Sequence, residues 1–196
     1  MSRSLLAAAA MVLLATTAQA TTLSRSGVWE SFYVKGDKGT PICGMQVVGR
    51  DAKMFVKYTG GDVFIQIMKL GWRIPQGTEI PGYVAFDTSD HLPFVGSGRT
   101  VDGVGIVEVK VTAGTEADFL HEFGEANTFT IGFDAGTQPP MVANMAGSRD
   151  ATTTFRRCMA FLDAQSAQQP FARKDDAQPF GKQPATQTKK KDDGSV

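Results

Sequence analysis

The chain has 196 residues, of which 42% are hydrophobic and 20% are charged. Its 20 basic and 20 acidic residues give a formal net charge of zero, so no field of one sign is available to hold nucleic acid or an anionic membrane. Length and composition are those of a single globular domain with a hydrophobic core.

The first twenty residues have the pattern of a cleavable export signal. Arg3 gives a positive start, an apolar run extends from Leu5 to Ala15, and Ala18-Gln19-Ala20 is a small-x-small cleavage site. The apolar run is shorter than the roughly 20 residues of a membrane-spanning helix. We expect cleavage after Ala20 and a periplasmic or secreted protein without an integral membrane segment.

The body of the chain, predicted as one β-rich domain over residues 21–167, alternates apolar and polar residues with the period of a β-strand. Gly60-Gly61 separates two alternating runs and predicts a hairpin, because glycine tolerates the positive φ of tight turns. The predicted strands are Val28–Val34, Ile42–Val48, Met54–Tyr58, Val63–Ile67, Tyr83–Phe86, Val107–Val111, Phe129–Phe133 and Met141–Met145. We predict a mainly β fold, an antiparallel sandwich or a partly open barrel.

Two segments are predicted to be helical. Thr115 opens a short internal helix with a capping-box-like start. A longer helix follows Gly147-Ser148, with Asp150 in its first turn. Its apolar residues recur at helical spacing, which predicts that this C-terminal helix packs on the sheet. The residues of that stripe are Ala151, Phe155, Cys158, Met159 and Leu162.

From Gln168 onward the composition changes to Gln, Pro, Lys and Asp, with few branched apolar residues. Such a segment buries too little surface to offset the entropy of ordering, which predicts a disordered polar tail over residues 168–196.

The chain has two cysteines, Cys43 and Cys158. In an exported protein an even number of cysteines favours a disulfide, whereas two free thiols are the alternative. Cys43 shares a strand face with Met45, and Cys158 lies on the apolar stripe of the C-terminal helix, so both are expected to point inward. The bond would fasten that helix to an early strand.

These residues resemble a known family. The aromatic strand around Trp29, the cysteine at Cys43, and a closing helix with a Gly-Ser start and Phe155-x-x-Cys158 are similar to the small exported bacterial proteins of the invasion-associated locus B type. The resemblance extends from about Gly27 to Leu162. It implies a periplasmic or envelope-associated β-rich domain, linked in some members to host-cell invasion, with no catalytic residues to transfer. The second cysteine pair that members often carry midway is absent from this sequence.

No residue pattern indicates an enzyme or a metal site. The two histidines, His91 and His121, lack the spacing of a catalytic zinc site. Gly96-Ser97-Gly98 lacks the spacing of a nucleophile elbow and is interpreted as a flexible glycine loop. Acidic residues of the internal helix, at positions 116, 118, 122 and 125, are interpreted as its solvent-facing side.

The sequence therefore predicts a non-enzymatic exported interaction protein whose partner is another protein or an envelope component, with no cofactor and no metal. Trp72 and Arg73, in an apparent loop, are the predicted binding contacts, because tryptophan and arginine dominate binding hot spots. Trp72 is expected to be exposed. The alternative is a protein that binds a small molecule or acts as an inhibitor through a cavity in the β-structure. A hydrolase using Ser97, His91 or the helix acids ranks third.

Overall fold

The computed structural model describes residues 20–36 and 39–167; the predicted export signal before Ala20 and the predicted tail lie outside the described residues. The described residues form ten strands and two helices, α1 (Glu116–Glu125) and α2 (Ser148–Ala167). The strands are β1 (Thr21–Ser26), β2 (Trp29–Lys35), β3 (Pro41–Val48), β4 (Ala52–Thr59), β5 (Asp62–Leu70), β6 (Thr78–Phe86), β7 (Leu92–Val101), β8 (Val104–Lys110), β9 (Thr128–Phe133) and β10 (Met141–Asn144).

All ten strands belong to one antiparallel sheet in the order β1-β2-β3-β4-β5-β8-β7-β6-β9-β10. The predicted hairpin at Gly60-Gly61 is confirmed, since Thr59 pairs with Asp62 across two glycines of positive φ. The mainly β fold class is likewise confirmed. The ten strands form one open sheet, which is consistent with the predicted sandwich or partly open barrel.

The two ends of the sheet meet beyond β10. The backbone N–H of Val28, in the β1–β2 turn, donates to the carbonyl of Ala146 at 3.2 Å, and the indole N–H of Trp29 donates to the carbonyl of Asn144 at 3.0 Å. Gly27 and Gly147 both have positive φ here, and a Cβ on either would overlap the other segment's backbone. This close approach closes one end of the fold.

Alternate residues of the strands lie on the face of the sheet that carries the two helices, and this inner face holds most of the large fully buried side chains. Phe123 of α1 is fully buried, and its ring lies 5.1 Å from that of Trp29 and 5.5 Å from that of Phe129, centroid to centroid. Edge-to-face and tilted pairs of this kind add stability beyond the area they bury. Ala151 and Phe155, on the predicted stripe of α2, are also fully buried.

Helix α1 has the predicted position, with Leu120 and Phe123 buried, but the predicted capping box is wrong. The Thr115 side chain makes no cap hydrogen bond; its hydroxyl donates instead to the carbonyl of Thr112 at 2.8 Å. The hydroxyl thereby closes the turn before the helix, a local bond that competes with capping.

The side chain of Asp87 fastens the end of β6 to the start of β9. Its Oδ1 accepts hydrogen bonds from the backbone N–H groups of Asn127 at 2.9 Å and Thr128 at 2.8 Å. The bond from Thr128 is the main cause that lowers the pKa of the Asp87 carboxyl from its usual value. Asp87 also has a φ of 48°, a conformation that aspartate tolerates better than most residues.

Two strands were not predicted, and one of them corrects an interpretation. Gly96-Ser97-Gly98 is not a flexible loop but the middle of β7. A Cβ on Gly96 would lie 3.1 Å from the carbonyl oxygen of Glu108, and one on Gly98 would overlap the side chains of Ile74 and Ile80. These glycines give close packing on the inner face, a role that glycine has in strands as well as turns. The other unpredicted strand is β1.

The two cysteines form the predicted disulfide. Cys43 of β3 and Cys158 of α2 are bonded, with their Cα atoms 5.9 Å apart and a sequence separation of 115. Cys43 is fully buried beside Met45. The bond joins the first part of the sheet to the last helix.

By its internal contacts the chain divides into a compact unit that ends at Met159 and a second that begins at Ala160. Within the second unit, the described residues 160–167 are helical. Of the two helices described, neither combines the length and the apolar character that a membrane span requires.

Removing the disulfide is expected to lower the free energy of unfolding by about 4–5 kcal/mol, because the bond closes a long loop in the unfolded chain. Urea unfolding of Cys43→Ala/Cys158→Ala against the oxidised chain measures the difference. Oxidised chain treated with reductant is the control: it loses the cross-link but keeps both sulfur atoms, and should fall to about the same stability. Thiol labelling of the exported, unreduced chain in denaturant would contradict the bond if it found two reactive cysteines.

Candidate functional site

The loop that carries Trp72 and Arg73 joins β5 to β6 and is fastened to β7. The Thr100 hydroxyl accepts from the backbone N–H of Ile74 at 2.7 Å and donates to its carbonyl at 2.9 Å. The backbone N–H of Gly77 donates to the carbonyl of Gly98 at 2.9 Å. These bonds hold the loop over the inner face of the sheet.

Trp72 packs directly over Gly105 of β8, which has no side chain to displace it. A Cβ on Gly105 would overlap the Cβ of Trp72, so only glycine at this position of β8 lets the loop approach. The Trp72 ring packs edge-on against Phe133, with centroids 5.5 Å apart and planes at 79°. The Lys69 ammonium lies 5.9 Å from the Trp72 ring centroid and pairs with Asp51 at 2.9 Å. Three contacts thus fix the orientation of Trp72.

A cleft of about 530 Å³ opens beside this tryptophan and is here called the Trp72 cleft. Its walls are mainly apolar, and Arg73 and Gln138 stand among the polar groups at its rim. The main wall residues are Trp72, Ile74, Pro75, Ile80, Val107 and Phe133. Arg73 is exposed, and its guanidinium makes no hydrogen bond or ion pair within the described ranges. The cleft therefore combines an apolar body with one available cation.

A second cleft of about 500 Å³ lies between α1 and the same sheet, here called the α1 cleft. Its floor includes Ile65, Val84, Phe94, Val109 and Phe119. Its lining also includes Asp90, Asp118 and Glu122, and Lys110, whose side chain lies on the outer face by the alternation of β8. Lys110 pairs with Asp62 at 2.8 Å, which leaves the lining of the α1 cleft predominantly acidic.

The structure alters one expectation about the predicted contacts. Arg73 is exposed, as expected for a binding contact. Trp72 is half-buried rather than exposed, because it packs against Gly105 and Phe133 on the inner face. The two side chains lie in one cleft. Their role in binding stays a prediction.

The residues considered for hydrolysis are dispersed. His91 precedes β7 and stacks on Tyr83, with ring centroids 3.8 Å apart. Ser97 lies six positions further along the extended chain, about 20 Å away at strand spacing, paired with Glu79 and Glu108. A serine and its base must lie within hydrogen-bond reach, so these two do not form a catalytic pair.

The acidic residues of α1 also separate. Asp118 and Glu122 line the α1 cleft, whereas Glu116 accepts a hydrogen bond from the backbone N–H of Gly114 at 2.7 Å and Glu125 pairs with Arg149. Within the described ranges, no three His, Cys, Asp or Glu side chains lie close enough together to hold a metal ion.

Charged groups on the outer face of the sheet are engaged with one another. Lys57 donates to Gln66, whose amide donates to Glu108 at 2.9 Å, and Arg99 lies 3.8 Å from the same carboxylate. Burial lowers the pKa of the Lys57 ammonium from its usual value, although Glu108 acts in the opposite direction. The network thus joins Lys57, Gln66 and Glu108 to one another on the outer face.

Sequence reasoning missed half of the Trp72 cleft. The wall that Phe133 and Gln138 provide comes from the last residue of β9 and the segment that follows it, and no local pattern indicates that this wall faces the Trp72 loop. A usable signal was present in the strand glycines, Gly96 and Gly98 at alternate positions of β7 and Gly105 on β8. Glycine within a strand often marks the close approach of another segment.

No protein-family model matches this chain, and no curated protein matches it. Among solved structures, the crystal structure of invasion associated protein B from Bartonella henselae matches with a TM-score of 0.49 and 17% sequence identity, over 71% of this chain and 97% of that chain. The chain thus has a weak likeness of fold to the kind of protein its sequence resembles. At this degree of similarity the match carries no information on function.

Substituting Gly105→Ala is expected to push Trp72 and its loop off the sheet, because the new methyl group overlaps the Trp72 Cβ. Overpacking of this kind destabilises by about 1–3 kcal/mol. Tryptophan emission should shift to the red, and acrylamide should quench it more strongly.

Gly124→Ala in α1 is the matched control. A Cβ there meets nothing closer than 3.7 Å, so alanine should stabilise the helix by up to about 1 kcal/mol and leave the emission unchanged. Unchanged emission and stability in Gly105→Ala would show that Trp72 does not lie on that glycine.

Proposed function

We propose that this protein is a non-enzymatic binding protein of the periplasm or cell envelope, and that the Trp72 cleft is its site. The ligand is a small amphiphile with an apolar body and one anionic group. The observation that carries this proposal is an aromatic-walled cleft bordered by the Arg73 guanidinium, which has no partner among the described residues. The export-signal pattern and the disulfide support a location outside the cytoplasm.

The cleft has the size and chemistry of a small-molecule site. Its volume of about 530 Å³ lies within the range of about 300–1,000 Å³ common to ligand pockets, which are mostly apolar with a few polar groups that set orientation. Arginine binds carboxylates through two parallel hydrogen bonds, so Arg73 favours an anionic group. Glu79 also borders the cleft, but β6 alternation places its side chain on the outer face, opposite Ser97.

Octanoate and octanol separate the two parts of this site, because they share an apolar chain and differ in charge. By titration calorimetry, Trp72→Ala should weaken both ligands. Arg73→Gln should weaken octanoate roughly tenfold or more, the effect of losing a hydrogen bond to a charged group, and leave octanol unchanged.

Arg50→Gln removes an exposed arginine in the β3–β4 turn, outside the Trp72 cleft, and should bind both ligands like the unsubstituted chain. Absence of binding to the unsubstituted chain, or equal loss in the Arg50 and Arg73 variants, would refute the proposed site.

A second candidate function is docking of a protein partner of the envelope at the same end of the sheet. Leu70, Val104 and Val101 are paired in register on the adjacent strands β5, β8 and β7. Leu70 is 66% exposed and Val101 is 46% exposed. Neighbouring apolar side chains in solvent favour an interaction surface.

This candidate predicts that Leu70→Ser abolishes capture of a partner protein from envelope extract, while Trp72→Ala does not. The apolar contact is lost only in the first variant. Val95→Ser is the control, since Val95 is equally exposed and lies elsewhere on β7. Loss of capture in the Val95 variant as well, or in Trp72→Ala alone, would contradict docking at Leu70.

A further inference from the structure

The Trp72 cleft and the α1 cleft lie along the same face of the same strands. On β6, Ile80 lines the Trp72 cleft and Val84 lines the α1 cleft. On β8, Val107 lines the Trp72 cleft, and Val109, the next inward-facing residue, lines the α1 cleft. The two clefts are therefore neighbouring parts of one inner surface.

One row of residues separates them. Gly82 of β6 pairs with Phe94 of β7 on one side and with Phe133 of β9 on the other. The two phenylalanine rings meet edge-to-face, with centroids 6.3 Å apart and planes at 85°. A Cβ on Gly82 would come within 2.8 Å of the Phe94 ring, so the ring leans over the glycine. The partition consists of side chains only.

Phe94 makes fewer ring contacts than Phe133. Phe133 is held between Phe94 and Trp72, whereas Phe94 has one ring contact and borders the open volume of the α1 cleft. A phenylalanine on a strand has more than one accessible χ1 rotamer, and both rings are half-buried rather than locked in the core. Rotation of Phe94 would connect the two volumes.

We infer that the two clefts form one trough for a single unbranched alkyl chain with an anionic head, and that the Phe94 ring is its movable partition. This inference rests on the proposed function of the Trp72 cleft and adds the class of its ligand. From Thr78 to Val84 the floor of the trough spans about 20 Å at strand spacing. Its length favours an extended chain over a compact molecule.

Charge sets the direction of the chain. The available cation, Arg73, stands at the Trp72 end, and the carboxylates of Asp90, Asp118 and Glu122 border the other end. An anionic head is attracted to the first end and repelled from the second. The head therefore lies at Arg73, and the tail passes Phe94 into the α1 cleft.

Titration of the intact, oxidised chain with octanoate and tetradecanoate, both below their micelle concentrations, tests this inference. Each buried methylene strengthens binding about fourfold, so tetradecanoate, which has about six more methylenes, should bind at least roughly 250-fold more tightly than octanoate if about four or more of them are buried. Phe94→Trp enlarges the side chain that separates the two clefts, so the alkyl chain no longer passes into the α1 cleft. The ratio of the tetradecanoate affinity to the octanoate affinity should then fall towards one, while octanoate binding is retained. Phe94→Ala should keep the ratio or raise it.

Phe64→Ala, the same truncation on the outer face of β5, is the control and should keep the ratio of the unsubstituted chain. If Phe94→Trp fails to fold by circular dichroism, Leu92→Trp takes its place, because Leu92 lines the α1 cleft and is 51% exposed. It should also reduce the ratio.

Two results would overturn the inference and leave the proposed function standing. One is a ratio near one in the unsubstituted chain while octanoate binding still depends on Trp72. The other is an unchanged ratio in a folded Phe94→Trp or Leu92→Trp chain. Absence of octanoate and tetradecanoate binding altogether would refute the proposed function itself, and the trough with it.

Discussion

Residues 148–159 of helix α2 pack on the inner faces of β2 and β3, and the interior of the fold is arranged around this contact. The Ser31 hydroxyl donates to the carbonyl of Ala151 at 3.1 Å, and the disulfide of Cys43 fastens the helix further along. The shorter helix α1 also packs on the inner face, where its Phe123 side chain is fully buried. Two helices cannot cover ten strands, however, so the inner face of β6 to β8 must be filled in another way.

The remaining part of the inner face carries glycines in place of larger side chains, and the loop that holds Trp72 covers part of it. Glycines at Gly82, Gly98 and Gly105 remove volume from three adjacent strands, and Trp72 and Ile74 occupy part of the space. Close packing of a protein interior normally leaves few voids larger than a water molecule. Here the loop closes over the sheet without filling it, and the two clefts are the volume that remains.

This arrangement separates two kinds of surface. On the outer face, charged groups such as Lys57 and Glu108 are joined through Gln66, and no buried side-chain nitrogen or oxygen of the described residues lacks a partner. On the inner face, an apolar cleft is bordered by the Arg73 guanidinium, which has no partner among the described residues. The proposed ligand site is on the inner face, since a satisfied polar network gains little from a further contact.

The sequence by itself determined most strands, both helices and the cysteine pair, because period-two and period-3.6 patterns and an even cysteine count are local or compositional signals. It placed Trp72 and Arg73 in a loop, but it misread Gly96 and Gly98 as flexible. Only the tertiary structure decided that Gly98 lies beneath Ile74 and Ile80 and that Gly96 packs against β8, and that the segment after β9 completes the cleft. The physical reason is that residues distant in sequence form a cavity together. Whether a glycine gives flexibility or close packing therefore depends on the side chains next to it across the sheet, which the local sequence does not indicate.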